Sequence, residues 1–401
     1  MRGKAITVTV LILTTIAFAA TPLGLVAAQQ PPAPISTVDV AGDGAHIAIG
    51  YDDWVAYFDT VSGVMLWTSY VGRDVGAVVL SENGHYLAVA SNDYPHTPTS
   101  NGYVSLYDTT DGSLIFSYRV DYNIAEVNRA IDITRDGQYI AVGTGVSVDQ
   151  YPGTYLGSIY LFKNPDFGAS WVKYYNANSR VHCVRFSGDR QHFAAGCYWH
   201  FMHFFDVPTD CTQPLVPKWT VYCGDPYYSI GISYNAERIA TGHGWQHYVR
   251  LYDGSGNLLW FSPQQGAQRR ITMSDDAQYF AVAQGECHPT DFNGFHYFGT
   301  AGPTPIWSFP TPDPSNYVDM SVFNAMYVVG ASYNTVYQWG DGHLPPPISS
   351  APEHIYVANG VVTDVSISYS GTIYAASDDA GYLYVFVAGV AGPNLLWSWK
   401  T

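Results

Sequence analysis

One short pattern recurs along the chain: an alternating apolar strand, a tight polar turn and a second strand of small and β-branched residues. It reads VDVAGDGAHIAIG from Val38, VVLSENGHYLAVA from Val78 and IDITRDGQYIAVG from Ile131. Asn-Gly and Asp-Gly at the turn supply the positive φ angles that a tight hairpin requires. Counting the weaker copies, the eight turn centres are Asp43, Asn83, Asp136, Asp189, Asn235, Asp276, Asn324 and Ser370.

The spacing of these turns predicts what each repeat contains. The centres lie 40, 53, 53, 46, 41, 48 and 46 residues apart, enough for four short strands and their loops. Four-stranded units of this kind cannot bury both faces alone, and stacking around an axis solves that problem while leaving only short edges. The sequence therefore predicts an all-β chain with a single β-propeller of eight four-stranded antiparallel blades over residues 35–401. The ring is expected to close by packing, without a blade that mixes the two termini.

The composition agrees with an all-β fold, and the net charge argues against one class of partner. Aromatic residues reach 15% of the chain, and 38 glycines and 24 prolines supply the turns. The formal net charge is −16 with only 17 Lys and Arg. Because a field of that sign repels phosphate backbones, the sequence predicts no nucleic-acid partner.

The N-terminus has the layout of a secretory signal. Residues 1–4 carry positive charge, residues 5–20 are apolar, and Val26-Ala27-Ala28 offers a small-residue cleavage site before Gln29. The alternative is an uncleaved anchor, since residues 5–28 are long enough to span a membrane. Pro22 and Gly24 interrupt that stretch and favour cleavage. We therefore expect a signal peptide at 1–28, a Pro-rich segment at 29–34 and an extracytoplasmic protein, secreted or associated with the cell surface, without a stable membrane span.

The fourth strand of several units has a glycine four or three residues before a tryptophan. The pairs are Gly63 with Trp67, Gly168 with Trp171, and Gly256 with Trp260, and Trp219, Trp307 and Trp397 hold the same place elsewhere. This resembles the tryptophan-docking repeat of quinoprotein-like (PQQ-like) propellers, and the first two strands of each unit resemble WD40-like repeats. The resemblance covers about residues 35–401. It implies the architecture more strongly than an activity, since such propellers host many functions.

The resemblance implies two kinds of function. Quinoprotein-like propellers that have lost their cofactor include envelope-assembly scaffolds, so the first expectation is a non-catalytic module that binds protein or polysaccharide of the cell envelope. The alternative is a quinoprotein-like oxidoreductase or a redox protein with an unknown metal or quinone. The enzymes of that family stack an adjacent Cys-Cys pair on the cofactor, and no two cysteines are adjacent in this chain. We therefore predict no catalytic residue and no cofactor.

Histidines and cysteines collect in loops between second and third strands. Imidazole and thiolate are good ligands for zinc or copper, so this clustering could form a metal site. The candidate ligands are Cys197, His200, His243, His247 and His288. The other interpretation, which the sequence favours, is a set of half-exposed loop histidines in an aromatic protein.

The five cysteines, an odd number, allow one or two internal bridges. Cys197 and Cys223 are expected at the same rim of the fourth blade, which makes them the best candidate pair for a disulfide. Free buried cysteines are the alternative.

Three long loops between second and third strands indicate where a partner could bind. They are residues 92–102, 146–157 and 285–294, and the first two belong to neighbouring blades. Binding residues are often carried on loops of a rigid scaffold. Tyrosine offers a large amphipathic contact area at low entropic cost. The sequence therefore predicts a partner-binding rim that contains Tyr94, His96, Tyr151 and Tyr155.

Overall fold

The structure, a computed structural model, describes residues 33–94, 100–124, 130–146, 156–285, 291–323, 325–340, 349–389 and 394–401. Within these residues, 32 strands form eight four-stranded sheets. Every sheet consists of four consecutive antiparallel strands, so each sheet is one blade made from one continuous segment. The predicted eight-bladed β-propeller is confirmed.

Blades 1 to 4 occupy the first half of the chain. Blade 1 contains Ile35–Val40 (β1), His46–Tyr51 (β2), Trp54–Asp59 (β3) and Met65–Tyr70 (β4). Blade 2 contains Asp74–Leu80 (β5), Tyr86–Asn92 (β6), Gly102–Asp108 (β7) and Leu114–Val120 (β8). Blade 3 contains Ile131–Ile133 (β9), Tyr139–Gly143 (β10), Ser158–Lys163 (β11) and Val172–Asn176 (β12). Blade 4 contains Val181–Phe186 (β13), His192–Cys197 (β14), Phe201–Asp206 (β15) and Trp219–Tyr222 (β16).

Blades 5 to 8 repeat the arrangement. Blade 5 contains Tyr227–Ile232 (β17), Arg238–His243 (β18), Tyr248–Asp253 (β19) and Leu258–Pro263 (β20). Blade 6 contains Ala267–Met273 (β21), Tyr279–Gly285 (β22), Gly294–Gly299 (β23) and Pro305–Pro310 (β24). Blade 7 contains Ser315–Met320 (β25), Val328–Ser332 (β26), Thr335–Trp339 (β27) and His354–Val357 (β28). Blade 8 contains Val362–Ile367 (β29), Ile373–Asp378 (β30), Tyr382–Val387 (β31) and Leu395–Lys400 (β32).

Burial changes from the inner to the outer strands of each blade. The second and third strands are buried on both faces, as in β2 and β3, because blades pack on either side. The fourth strand alternates exposed and half-buried residues, as in β4 and β32, because its successive side chains point to opposite faces and neighbouring blades cover this outermost strand only in part. The core therefore consists of apolar layers between neighbouring blades.

The first blade and the last close the ring directly. Tyr369 N donates to Gly42 O at 3.0 Å, and Thr37 Oγ1 donates to Asp364 Oδ2 at 3.1 Å. No sheet among the described strands combines the two ends of the chain, as the sequence predicted. Closure uses hydrogen bonds as well as the packing that we expected.

Tryptophans dock between blades rather than on the glycine that precedes them in the sequence. Trp67 Nε1 donates to Thr109 O of the next blade at 2.7 Å. A Cβ on Gly112, whose φ is 72°, would lie 2.7 Å from the Trp67 ring. Trp219 and Gly256 repeat this arrangement between blades 4 and 5. The glycine of each such pair is thus required by the indole of the preceding blade.

Candidate binding surface on blades 4 and 5

The structure describes one of the four residues that were predicted for the partner-binding rim. Tyr94, two residues after the end of β6, is 83% exposed. His96, Tyr151 and Tyr155 lie outside the described residues. Whether these four side chains meet on one rim therefore stays a prediction.

The five predicted metal ligands are spread over different environments. Cys197 and His243 are fully buried at the ends of β14 and β18, whereas His200 and His247 lie in the loops that follow these strands. His288 is outside the described residues. In the part of the chain that the structure describes, no group of three or more His, Cys, Asp or Glu side chains could hold a metal ion. The predicted ligand set is not assembled there.

The predicted Cys197–Cys223 disulfide is not formed, and both thiols are free. The physical reason is that the two side chains pack on different faces of blade 4. Cys197 belongs to the apolar layer shared with blade 3, and Cys223 borders the layer shared with blade 5. Burial raises the pKa of both thiols, which suits the alternative of free, unreactive cysteines.

Two ion pairs cross the central channel. Arg270 of blade 6 reaches Asp364 of blade 8 at 2.7 Å, and both side chains are buried. Arg135 of blade 3 reaches Asp275 of blade 6 at 2.5 Å and lies over the ring of Tyr369. Cavities of about 150 Å³ and 310 Å³ lie beside these pairs.

The other channel carboxylates are already used to join blades. Asp39, Asp132 and Asp319 each accept a backbone N–H from the first strand of the next blade. Their oxygens therefore serve as fixed acceptors between inner strands, which is a structural role.

Six aromatic and histidine rings form a row along blades 4 and 5. The row lies on the rim of the propeller where the loops between the second and third strands are found. We call it the aromatic strip. In order from the inner to the outer strands it comprises Tyr228, His182, Tyr198, Trp245, His200 and Tyr222. The successive ring centroids are 5.2, 5.4, 5.5, 5.4 and 5.8 Å apart. Trp245 is 52% exposed and Tyr222 is 64% exposed. The strip is therefore continuous, with Trp245 and Tyr222 exposed to solvent and His182 buried within it.

Hydrogen bonds hold the loop that carries Trp245. Asp225, in the connection between blades 4 and 5, is fully buried. Its carboxylate accepts the backbone N–H groups of Trp245 and Gln246 at 2.9 and 3.1 Å. Trp245 then packs edge-on against both Tyr198 and His200. Its ring is therefore positioned before any ligand arrives.

The loop on blade 4 is held in the same way. Tyr198 N donates to Arg180 O at 2.9 Å, and Trp199 N donates to Ser179 Oγ at 2.9 Å. His200 adopts a φ of 66°, and its carbonyl accepts from Cys223 N at 3.0 Å. These bonds tie the loop to the connections before and after blade 4.

Two histidines of the strip present neutral ring nitrogens. Burial, aided by the charge of Arg180, lowers the pKa of His182 to about 3. Its Nδ1 is buried without a hydrogen-bond partner among the described atoms. Burial likewise lowers the pKa of His200, whose Nε2 has no partner within the described part of the chain. At neutral pH both imidazoles are uncharged, and only that of His200 lies directly against the exposed rings of Trp245 and Tyr222.

Of the strip residues, only His200 is among the residues predicted from the sequence, as a candidate metal ligand. The available signal was the local density of aromatic residues in Tyr198-Trp199-His200-Phe201 and Gly244-Trp245-Gln246-His247. The two segments lie in equivalent loops of consecutive repeats, so their proximity follows from the repeat itself.

Comparisons with known proteins do not add to this description. No model of a known protein family matches the chain, and no curated protein sequence matches it. Across the described residues, no helix is long and apolar enough to cross a membrane.

Proposed function

We propose that the chain is an exported, non-catalytic binding module that attaches to a protein or polysaccharide of the cell envelope through the aromatic strip. The observation that carries this proposal is the half-exposed Trp245, held between Tyr198 and His200 by the buried carboxylate of Asp225. Large rings with a polar edge dominate binding energy at interfaces. A ring that is already fixed loses little entropy when a ligand binds.

The relationship to quinoprotein-like propellers belongs to the same proposal. It is supported by the tryptophan docking between blades, seen for Trp67 on Gly112 and for Trp219 on Gly256. Export is supported by the sequence of residues 1–28. A rigid propeller outside the cytoplasm would act as a scaffold that displays one binding rim.

The test is binding of the purified protein to envelopes isolated from its own source. Wild-type protein should sediment with the envelopes, and the Tyr198→Ala/Trp245→Ala variant should lose at least about 90% of that binding. Tyr333→Ala is the matched control, because Tyr333 is 54% exposed in the equivalent loop of blade 7. Circular dichroism verifies the fold of both variants. Equal binding by the wild type and the strip variant would refute the proposal.

A further inference from the structure

We propose that a cleft between the outer strands of blades 2 and 3 is a second binding site, which takes one tryptophan side chain of a partner protein. The cleft shares no residue with the aromatic strip, so this site goes beyond the proposed function and is tested separately. The other joints between blades identify the ligand, because most of them already hold an indole at the corresponding place.

Four joints of the ring hold a tryptophan in the same way. The indole nitrogens donate to backbone carbonyls of the next blade, at 2.7 to 3.1 Å, in Trp67, Trp219, Trp260 and Trp397. Each carbonyl belongs to the first residue after the third strand of that blade. Three of the indoles also lie over a glycine in the turn that follows, since a Cβ on Gly63, Gly112 or Gly256 would lie 2.7 to 3.1 Å from the ring. An indole carried by an extended strand is therefore what this part of a joint is shaped to hold.

Blade 2 has a phenylalanine where these blades have the tryptophan. Phe116 holds the position in β8 that Trp67 holds in β4, since each residue follows the same irregular step in its strand. The ring of Phe116 lies 5.9 Å from that of Phe162 in blade 3. Trp67 and Tyr107 are 6.1 Å apart at the equivalent place in the preceding joint. A benzene ring is smaller than an indole and has no N–H, so Phe116 makes only part of the docking contact.

The space that an indole would fill is open at this joint. Gly168, in the turn between β11 and β12, has a φ of 103°. Among the described atoms, a Cβ on Gly168 would meet only Lys163 Nζ, at 3.8 Å. A cleft of about 270 Å³ lies between β8 and β12, lined mainly by the rings of Phe116, Tyr118, Phe162 and Trp171. An apolar cavity of roughly 150 Å³ holds benzene, so this cleft is large enough for an indole.

The cleft opens on the outer surface of the ring. Tyr118 and Val172 are 42% and 40% exposed at its edge, whereas Phe162 is 1% exposed at its base. A side chain that enters from outside contacts β8 on one side and β12 on the other. Burial of its apolar area and the ring contacts favour binding. Because the other joints receive their indole from a polypeptide strand, the source that fits is a tryptophan on a segment lying along the outer strands.

The experiment uses a capped pentapeptide with one fluorinated tryptophan between glycines. Fluorine NMR detects its binding separately from the 11 tryptophans of the protein. The protein is the Tyr198→Ala/Trp245→Ala variant, because the aromatic strip offers other exposed rings. The protein should shift and broaden the fluorine signal, and unlabelled tryptophan peptide should reverse this effect. The same peptide with leucine at its centre should compete about tenfold less well or worse.

Two further substitutions, each in the same variant, locate the binding. Phe116→Trp supplies the indole from within the ring, so it should abolish peptide binding and raise the melting temperature. Val172→Glu places a carboxylate at the open edge, which a bound ring would desolvate, and should weaken binding about tenfold or more. Tyr333→Ala, on blade 7, is the control and should leave binding unchanged.

The possible results separate the sources of the ring. No binding of the tryptophan peptide, or binding that persists in both Phe116→Trp and Val172→Glu, would overturn the proposal. Binding of free indole without binding of the peptide would assign the cleft to small aromatic molecules and overturn the assignment to a protein. Wild-type dimers that Phe116→Trp dissociates would likewise overturn the assignment to a different protein, because a second copy would then supply the ring. The envelope binding of the strip is measured with other variants and stands or falls by itself.

Discussion

The indole nitrogen of Trp397, in the last strand of the chain, donates a hydrogen bond to the backbone carbonyl of Thr60 in the first blade at 2.7 Å. A Cβ on Gly63 would lie 3.1 Å from the same indole, just as one on Gly112 would crowd Trp67. The joint between the last blade and the first therefore uses the same contact as the joint between blades 1 and 2.

This equivalence gives the first prediction. Trp397→Phe removes the donor and should lower the free energy of unfolding by about 1 kcal/mol. Trp67→Phe, at the joint between blades 1 and 2, should cost a similar amount. Urea unfolding of both variants measures the difference. A large loss for Trp67→Phe with no loss for Trp397→Phe would show that the ring does not depend on this closing contact.

The two ion pairs that cross the channel should differ in their sensitivity to mutation. Arg270→Met leaves the buried carboxylate of Asp364 without its cation and should cost about 3 kcal/mol or more. The Arg135 and Asp275 side chains are more exposed, at 19% and 17%, so Arg135→Met should cost less. Equilibrium denaturation gives both values. An equal loss in the two variants would contradict the difference in burial.

Acid should destabilise the protein because several histidines are buried in the neutral form. Burial lowers the pKa of His182 to about 3, and that of His203 and His296 to about 4, from an ordinary value of 6.5. Between pH 6.5 and 4 the unfolded chain binds protons at these positions that the folded chain does not, so stability falls as pH falls. The expected loss between pH 7 and 5 is about 1 to 2 kcal/mol per histidine.

The measurement is the free energy of unfolding at several pH values. His203→Gln removes one titrating group and keeps a partner for Thr220, so its pH dependence should be shallower than that of the wild type. An unchanged slope would contradict the assignment of acid sensitivity to these buried histidines.

The described cysteines should react with alkylating reagents in an order set by burial. Cys211 is exposed, Cys223 is half-buried, and Cys183 and Cys197 are buried. Burial raises the pKa of Cys183 to about 12 and that of Cys197 further still, which suppresses their thiolates. Mass spectrometry of the iodoacetamide-treated native protein should show Cys211 modified first and Cys183 and Cys197 unmodified. Rapid modification of Cys197 would be inconsistent with its place in the core.

The repeat made the fold predictable from the sequence, whereas the binding surface depends on contacts between repeats. Turn residues such as Asp43 and Asp136 identified the hairpins, because the conformation of a tight turn depends on the residues within it. The contact between Tyr198 and Trp245 joins loops of two blades and depends on the buried Asp225, which the local pattern does not reveal. The Cys197–Cys223 pairing failed for a related reason, since sharing a rim does not place two side chains on the same face of a blade.

The central claim is that ligand covers the aromatic strip. Oxidative footprinting of the wild-type protein, with and without its isolated envelopes, measures this directly by mass spectrometry. We predict that Trp245 and Tyr222 become protected when envelopes are present, while Tyr94 and Tyr333 remain as reactive as in the free protein. Protection of Tyr94 without protection of Trp245 would contradict the account and return the binding site to the long loops of blades 2 and 3.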